Sequence, residues 1–182
     1  LGSGNRTFDS SSTVLGLNMT TLTKLSALSP LDGRYHGKVD ALRDYFSEFG
    51  LIRFRVLIEI EWLKALSAQA DITELAPFSA AAIAQLDALN ANFCEADALA
   101  IKSIEATTNH DVKAVEYWLR EKLSGTPETA KTLEFIHFAC TSEDINNLSH
   151  ALMLKGARDA VMLPTLNVLT TRLQNLAHQL AG

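Results

Sequence analysis

Three short polar segments of the sequence carry the side chains best suited to bind a charged small molecule. They contribute, in chain order, Arg34, Tyr35, Asn109, His110, Asp111, Thr141 and Ser142. An arginine guanidinium forms paired hydrogen bonds with phosphate or carboxylate groups, and a histidine gains or loses a proton near neutral pH. If the three segments meet in the folded chain, we expect a pocket for a polyanionic small molecule.

Each polar segment also has a plainer interpretation. Residues 107–111 and 141–144 are rich in side chains that favour helix caps, and an apolar pattern of helical spacing follows each of them. The first N–H groups of a helix lack partners within the helix, so such an end either caps itself or binds an anion. Arg34 and Tyr35 follow a predicted Pro-Leu-Asp-Gly turn, which is also common on ordinary surfaces. Capping and turn formation therefore remain alternatives to binding.

Composition narrows the class of protein. The 182 residues carry 16 basic and 21 acidic side chains, and the net charge of −5 disfavours a general nucleic-acid surface. Cys94 and Cys140 lack metal-ligand spacing, and no P-loop or dinucleotide motif is present, so we expect no metal and no cofactor. Two cysteines are too few for a disulfide framework, so we expect a reducing, cytoplasmic setting. No apolar run approaches the roughly 20 residues that span a bilayer, and we expect no membrane partner.

The elements that position these segments are predicted to be helices only. Apolar residues recur at helical spacing over residues 39–49, 51–70 and 83–93, with a shorter helix over 97–104 and others after each polar segment. Gly50 is expected to stop or kink the chain between the first two helices. No alternating strand pattern appears, so the sequence predicts an all-α fold.

A leucine stripe marks the last helix. Its members repeat in steps of three and four residues beyond Pro164, which we expect to restart or kink the helix: Leu166, Leu169, Leu173, Leu176 and Leu180. Such a stripe needs partner helices. We interpret residues 1–18 as a leader or disordered extension, 19–130 as an N-terminal helical domain and 131–182 as the truncated beginning of a helical bundle. A non-enzymatic oligomerisation module therefore stays open as an alternative.

Three motifs together resemble one enzyme family. Ser-Pro-Leu-Asp-Gly-Arg-Tyr at 29–35, Thr-Thr-Asn-His-Asp-Val-Lys-Ala-Val-Glu-Tyr at 107–117 and Glu-Phe-Ile-His-Phe-Ala-Cys-Thr-Ser-Glu-Asp-Ile-Asn-Asn-Leu-Ser-His-Ala-Leu at 134–152 closely resemble the adenylosuccinate lyases of the fumarase/aspartase superfamily. The resemblance extends from about residue 25 to the end of the chain. Another fumarate-releasing lyase of the superfamily, of the argininosuccinate lyase type, is the alternative.

The resemblance implies a reaction and a set of roles. Family members release fumarate by β-elimination, from adenylosuccinate to give AMP and from the succinylcarboxamide ribotide of purine biosynthesis, as homotetramers without a metal or redox cofactor. It implies substrate contacts for all seven polar residues, with His110 assisting rather than acting as the principal acid. The family's catalytic histidine and serine motifs, Thr-His-Gly-Gln-Pro-Ala and a loop before Met-Pro-x-Lys-x-Asn-Pro, are absent. We therefore expect an N-terminal portion with no turnover of its own.

Overall fold

The computed structural model describes residues 23–181, which divide into two compact units between Asp40 and Ala41. The predicted leader at residues 1–18 lies outside the described residues. In the first unit the predicted turn is present, closed by a hydrogen bond from the Gly33 N–H to the Ser29 carbonyl at 2.9 Å. A Cβ added to Gly33 would lie 2.8 Å from the Lys24 carbonyl oxygen, so this turn requires glycine.

The second unit is built from α-helices, and no strand occurs among residues 23–181. The α-helices are α1 (Arg43–Phe46), α2 (Glu48–Ser67), α3 (Ala80–Ala91), α4 (Glu95–Thr108), α5 (Asp111–Leu123), α6 (Ser142–Ala157) and α7 (Leu163–Leu180). Short 3₁₀ helices cover His36–Lys38 in the first unit, Asp40–Leu42 where the two units divide, and Thr129–Phe135 in the second. The all-α prediction is confirmed, and α4 is longer than the sequence pattern indicated.

The break before α2 lies three residues earlier than predicted. Ser47 is the N-cap, and its hydroxyl accepts a hydrogen bond from the Gly50 N–H at 3.1 Å. Gly50 is inside the first turn of α2 and does not end a helix, so the prediction of its role was wrong. A Cβ there would approach the Tyr45 carbonyl oxygen to 2.7 Å. The glycine therefore permits the close approach of α1 to α2.

Helix α2 is the central element of the second unit. Between Leu51 and Ser67 only Glu61 and Ala65 are exposed. Its apolar side chains join one large core with α4 and α5, in which Trp118 packs edge-on against Phe93 at 5.5 Å between ring centroids. Because α2 is covered on nearly every side, a charged group on its buried sides must find a partner inside the protein.

Helices α6 and α7 follow each other with only one π turn, Arg158–Met162, between them. The turn shifts the hydrogen-bond register just before Pro164, which has no N–H to donate, and this confirms the predicted restart. Every residue from 162 to 181 is exposed, including all five leucines of the stripe. No helix among the described residues is long and apolar enough to cross a membrane. The domain boundary at residue 130 stays a prediction.

Candidate functional site at two helix entrances

The entrance to α5 combines a left-handed residue with a histidine cap. Asn109 ends α4 with φ 51°, a conformation that asparagine tolerates better than most residues. His110 is the N-cap of α5, and its Nδ1 accepts a hydrogen bond from the Lys113 N–H at 3.1 Å. The His110 side chain is 49% exposed. Its Nε2 and the Asn109 side-chain amide have no protein partner within residues 23–181, so both remain available to a ligand.

The entrance to α6 is capped by its own carboxylate. The Thr141 N–H and hydroxyl donate to one Asp144 carboxylate oxygen at 2.7 and 2.9 Å. These two bonds hold the pKa of Asp144 below its ordinary value, and burial opposes them only weakly. Ser142 begins the helix, and its hydroxyl has no partner in the described part of the chain. Thr141 is thus engaged in capping, whereas Ser142 is available.

Arg55, which sequence reasoning did not single out, joins the two entrances. Its Nη2 donates to Asp111 Oδ2 at 2.6 Å and its Nε donates to Asn146 Oδ1 at 2.9 Å. Asp111 begins α5 and Asn146 lies in the second turn of α6, so one guanidinium from α2 ties both helices. The Arg55 side chain is only 6% exposed. Arg55 is one of six charged residues in α2, so no signal in the sequence singled it out.

Asp111 is fully engaged by the protein itself. One carboxylate oxygen binds Arg55, and the other accepts the Val112 N–H at 2.9 Å. Burial raises the pKa of this carboxyl, but the Val112 hydrogen bond and the positive charge of Arg55 outweigh burial, so the pKa lies below its ordinary value. The charged carboxylate therefore fixes the start of α5 at neutral pH.

A buried apolar cluster also joins α2 to the first turns of α5 and α6. Ile58 from α2, Val112 from α5 and Ile145 from α6 form a small buried cluster, with Leu152 and Cys140 packed against it. Val112 is the second residue of α5, and Ile145 is the fourth of α6. The two entrances are therefore neighbours, held by a buried guanidinium and by hydrophobic contact.

A second charged cluster follows one helical turn along α2. Glu59 Oε1 lies 2.6 Å from His137 Nδ1, and Glu116 Oε1 lies 3.9 Å from the same nitrogen. Burial raises the pKa of Glu59, and the hydrogen bond and charge of His137 offset this only in part. Sequence reasoning missed Glu59, Glu116 and His137 as a group, because residues far apart in the chain form it.

A largely apolar groove of about 450 Å³ adjoins the α6 entrance. Trp62 and Leu148 contribute to its walls, and Glu61 and Asp144 contribute acidic groups. Such a lining does not suit an anion. No group of three or more histidine, cysteine, aspartate or glutamate side chains able to hold a metal occurs within residues 23–181.

The third predicted segment belongs to the first unit. There the Arg34 guanidinium lies over the Tyr35 ring, 5.0 Å from its centroid, and Tyr35 is 46% exposed. The structure thus brings the segments of Asn109 to Asp111 and Thr141 to Ser142 together. The meeting of Arg34 and Tyr35 with them stays a prediction.

Comparison with known proteins identifies the class. A family model described as "Lyase" matches residues 33–181, which is most of the chain. The chain therefore belongs to this lyase family, in agreement with its helical fold and with the resemblance inferred from its three motifs.

Individual relatives narrow the comparison further. Over 158 residues the chain is 61% identical to the adenylosuccinate lyase of Haemophilus influenzae and 60% identical to that of Escherichia coli K12. It is 47% identical to the adenylosuccinate lyase of Buchnera aphidicola from Schizaphis graminum. Each match covers 87% of this chain and 35% of the relative. The chain thus spans about a third of the length of these curated relatives.

Proposed function

We propose that this chain provides part of the substrate site of an adenylosuccinate lyase, which releases fumarate from adenylosuccinate to leave AMP and acts in purine biosynthesis. The observation that carries the proposal is the Arg55 bridge, which sets the α5 and α6 entrances side by side. The relatives at about 60% identity, all named adenylosuccinate lyase, supply the substrate class.

The site suits the binding of a substrate carboxylate better than the proton transfers of this reaction. In β-elimination a base removes a proton beside a carboxylate, and negative charge accumulates on that carboxylate before the nitrogen departs. Donors that bind this carboxylate in the substrate continue to bind it as the charge grows. The Asn109 amide, His110 Nε2 and the Ser142 hydroxyl are such donors. We assign them to substrate binding and assign no principal proton-transfer role to any residue of this chain.

Of the other four predicted residues, two shape the helix entrances and two are proposed to contact the nucleotide. Thr141 and Asp111 shape the entrances through their bonds to Asp144 and Arg55. Arg34 and Tyr35 are proposed to contact the nucleotide, since a guanidinium beside an aromatic ring suits a phosphate and a base. Neither a metal nor a cofactor enters the proposal.

We propose further that the whole protein is a cytoplasmic homotetramer. The exposed leucine stripe of α7, which has no covering side chains among residues 23–181, supports association between chains. The number of four chains comes from the family resemblance, and the cytoplasmic setting comes from the low cysteine content. Helices with a three-four apolar repeat associate through that stripe. The same stripe is the one observation that favours a second candidate function, an oligomerisation module without enzymatic activity.

A chimera tests the proposed function. The matched segment of the E. coli enzyme is replaced by the corresponding segment of this chain, and fumarate release is measured with adenylosuccinate and with argininosuccinate. We expect release from adenylosuccinate alone, and a loss of at least about 100-fold in kcat/KM for Ser142→Ala, because a substrate donor is removed.

The matched control is Ser124→Ala, whose hydroxyl serves only the end of α5 by donating to the Glu121 carbonyl. A correctly folded chimera that releases fumarate from argininosuccinate would support the alternative lyase. A folded tetramer that cleaves neither compound would leave the oligomerisation module as the better interpretation.

A further inference from the structure

The turn that leads into α6 has an unfavourable backbone conformation. His137 has φ 62° and Ala139 has φ 60°, both in the left-handed region that side chains with a Cβ rarely adopt. Two such residues within three positions persist only where surrounding contacts determine them. The turn delivers the chain to Thr141 and Ser142, so its conformation sets where the α6 entrance lies.

Two side chains of α2 anchor this turn. Glu59 Oε1 bonds His137 Nδ1 at 2.6 Å, and the Trp62 indole N–H donates to the Phe138 carbonyl at 2.8 Å. Glu59 and Trp62 are three residues apart and therefore project from the same side of the helix. Each anchor holds one of two consecutive turn residues.

The Glu59 anchor is unusual because His137 is the only hydrogen-bond partner of the carboxyl within residues 23–181. Its residue is 1% exposed, and its second oxygen, Oε2, is buried without a partner. The neighbouring acid, Glu116, is satisfied by the Lys113 ammonium at 2.6 Å and does not compensate Glu59. A buried carboxyl destabilises a fold unless its bonds are made, so the His137 contact is the one that accounts for its presence.

We propose that Glu59 is a positioning residue: its bond to His137 fixes the left-handed turn and so places the Ser142 end of α6 for the ligand. This inference rests on the proposed function for the identity of the ligand, but the positioning itself concerns only the chain. Glu59 touches no ligand, and it acts through His137.

The bond also fixes the histidine ring. With Nδ1 engaged by Glu59, the ring cannot rotate freely, and Nε2 has no partner within residues 23–181. In Glu59→Gln the side chain keeps its size but can no longer carry a charge or share the proton. An ionised Glu59 accepts only from a protonated Nδ1, whereas the amide of Glu59→Gln can accept from Nδ1–H or donate to an unprotonated Nδ1, so we expect a mixture of ring tautomers in this variant.

The first experiment uses the 182-residue chain itself. Nitrogen-15 NMR of the imidazole rings and amide hydrogen exchange are compared for the native chain, Glu59→Gln and the control Glu48→Gln, which alters an exposed acid of the same helix paired with Lys102. We expect a mixed His137 tautomer and about tenfold faster exchange at residues 138–143 in Glu59→Gln only. Unchanged exchange at those residues would overturn the inference.

A second variant covers the case in which Glu59→Gln folds poorly. His137→Asn removes the imidazole but keeps a residue that tolerates a positive φ. We expect the same faster exchange at residues 138–143, and no further change when it is combined with Glu59→Gln, because both variants break one contact. Additive effects of the two substitutions would contradict the inference.

Separate measurement of KM and kcat then distinguishes a positioning role from a general effect on stability. In the chimera, Glu59→Gln is expected to raise KM for adenylosuccinate about tenfold with kcat changed less than about threefold, because a misplaced binding group weakens substrate and transition state alike. If Glu59→Gln loosens the turn in the 182-residue chain but the chimera without this substitution cleaves no adenylosuccinate, the proposed function is rejected and the positioning role is kept. An active chimera with an unaltered KM would reject the positioning role alone.

Discussion

Helices α2 and α7 have similar lengths and opposite environments. Of the residues between Leu51 and Ser67 in α2 only two are exposed, whereas every residue of α7 is exposed. Yet α2 carries the buried charges Arg55 and Glu59, and α7 carries five exposed leucines. Polarity therefore does not decide burial by itself: Arg55 and Glu59 of α2 each have a partner within the chain, although one Glu59 oxygen has none, and the stripe on α7 has no cover among residues 23–181.

This contrast predicts different structural roles for the two helices. The charges of α2 face the entrances of α5 and α6 and set their relative positions through Asp111, Asn146 and His137. Substitutions in α2 should therefore act on the folding and local order of a single chain. Substitutions in α7 should act on association between chains, with little effect on the fold of each.

The largest effect expected from a single substitution lies in the core of α2. Leu63 is 1% exposed, and Leu63→Ala should lower the free energy of unfolding by about 3 kcal/mol, because it removes buried methyl groups and leaves a cavity. The matched change Leu173→Ala on α7 should alter it by less than about 0.5 kcal/mol in dilute solution. Urea denaturation followed by circular dichroism measures both. Equal effects would remove the contrast between the helices.

The next effect concerns association through α7. Leu169→Asp combined with Leu173→Asp places two carboxylates in the stripe, and we expect self-association to weaken about 100-fold, equivalent to about 2.7 kcal/mol. Sedimentation velocity over a range of concentrations measures this. Asn167→Asp with Gln174→Asp, which lie beside the stripe, is the control and should leave association unchanged. A native chain that stays monomeric at every concentration would refute the proposed use of the stripe.

A smaller effect is expected where Arg55 is removed. Arg55→Ala leaves Asp111 and Asn146 without their shared donor and should cost about 2 kcal/mol, less than for a wholly buried pair because Asp111 is half-exposed. Hydrogen exchange should rise first in the opening turns of α5 and α6. Arg172→Ala on the exposed helix α7 is the control, and a uniform rise along the whole chain would argue against a local tie.

The sequence predicted well those features that depend on neighbours in the chain. Helical spacing of apolar residues located most helices, and cap-forming residues located the α5 and α6 entrances. The role of Gly50 was predicted wrongly, because the close approach of the Tyr45 carbonyl, and not the end of a helix, requires a glycine there. A glycine that stops a helix and one that permits a close backbone contact look alike in sequence.

The arrangement of the site was much harder to predict. Arg55 lies 56 residues from Asp111 and 91 from Asn146, and Glu59 lies 78 from His137. No spacing rule for a helix or a turn connects residues so far apart. The available signal was weak: α2 carries six charged residues among mostly apolar ones, and those on its buried sides must have partners inside the protein. That signal indicates that partners exist but does not say which residues they are.

The smallest effect is a pH dependence at Asp111. Its pKa is lower in the folded chain than the ordinary value of about 3.9, so the charged form stabilises the fold fully above that value. This stabilisation is lost as the pH falls through the lowered pKa. Asp111→Asn should therefore cost about 1 kcal/mol at neutral pH, since the carboxylate is half-exposed, and less near pH 3.

Urea denaturation of the native chain and Asp111→Asn at a series of pH values measures the difference. The control is Asp71→Asn, which removes the charge of an exposed acid just beyond α2. If the difference between native chain and Asp111→Asn grew as the pH fell, the Asp111 carboxylate would be destabilising when charged. The Arg55 bridge would then not be an electrostatic tie, and the α5 entrance would be held mainly by the apolar contact of Ile58, Val112 and Ile145.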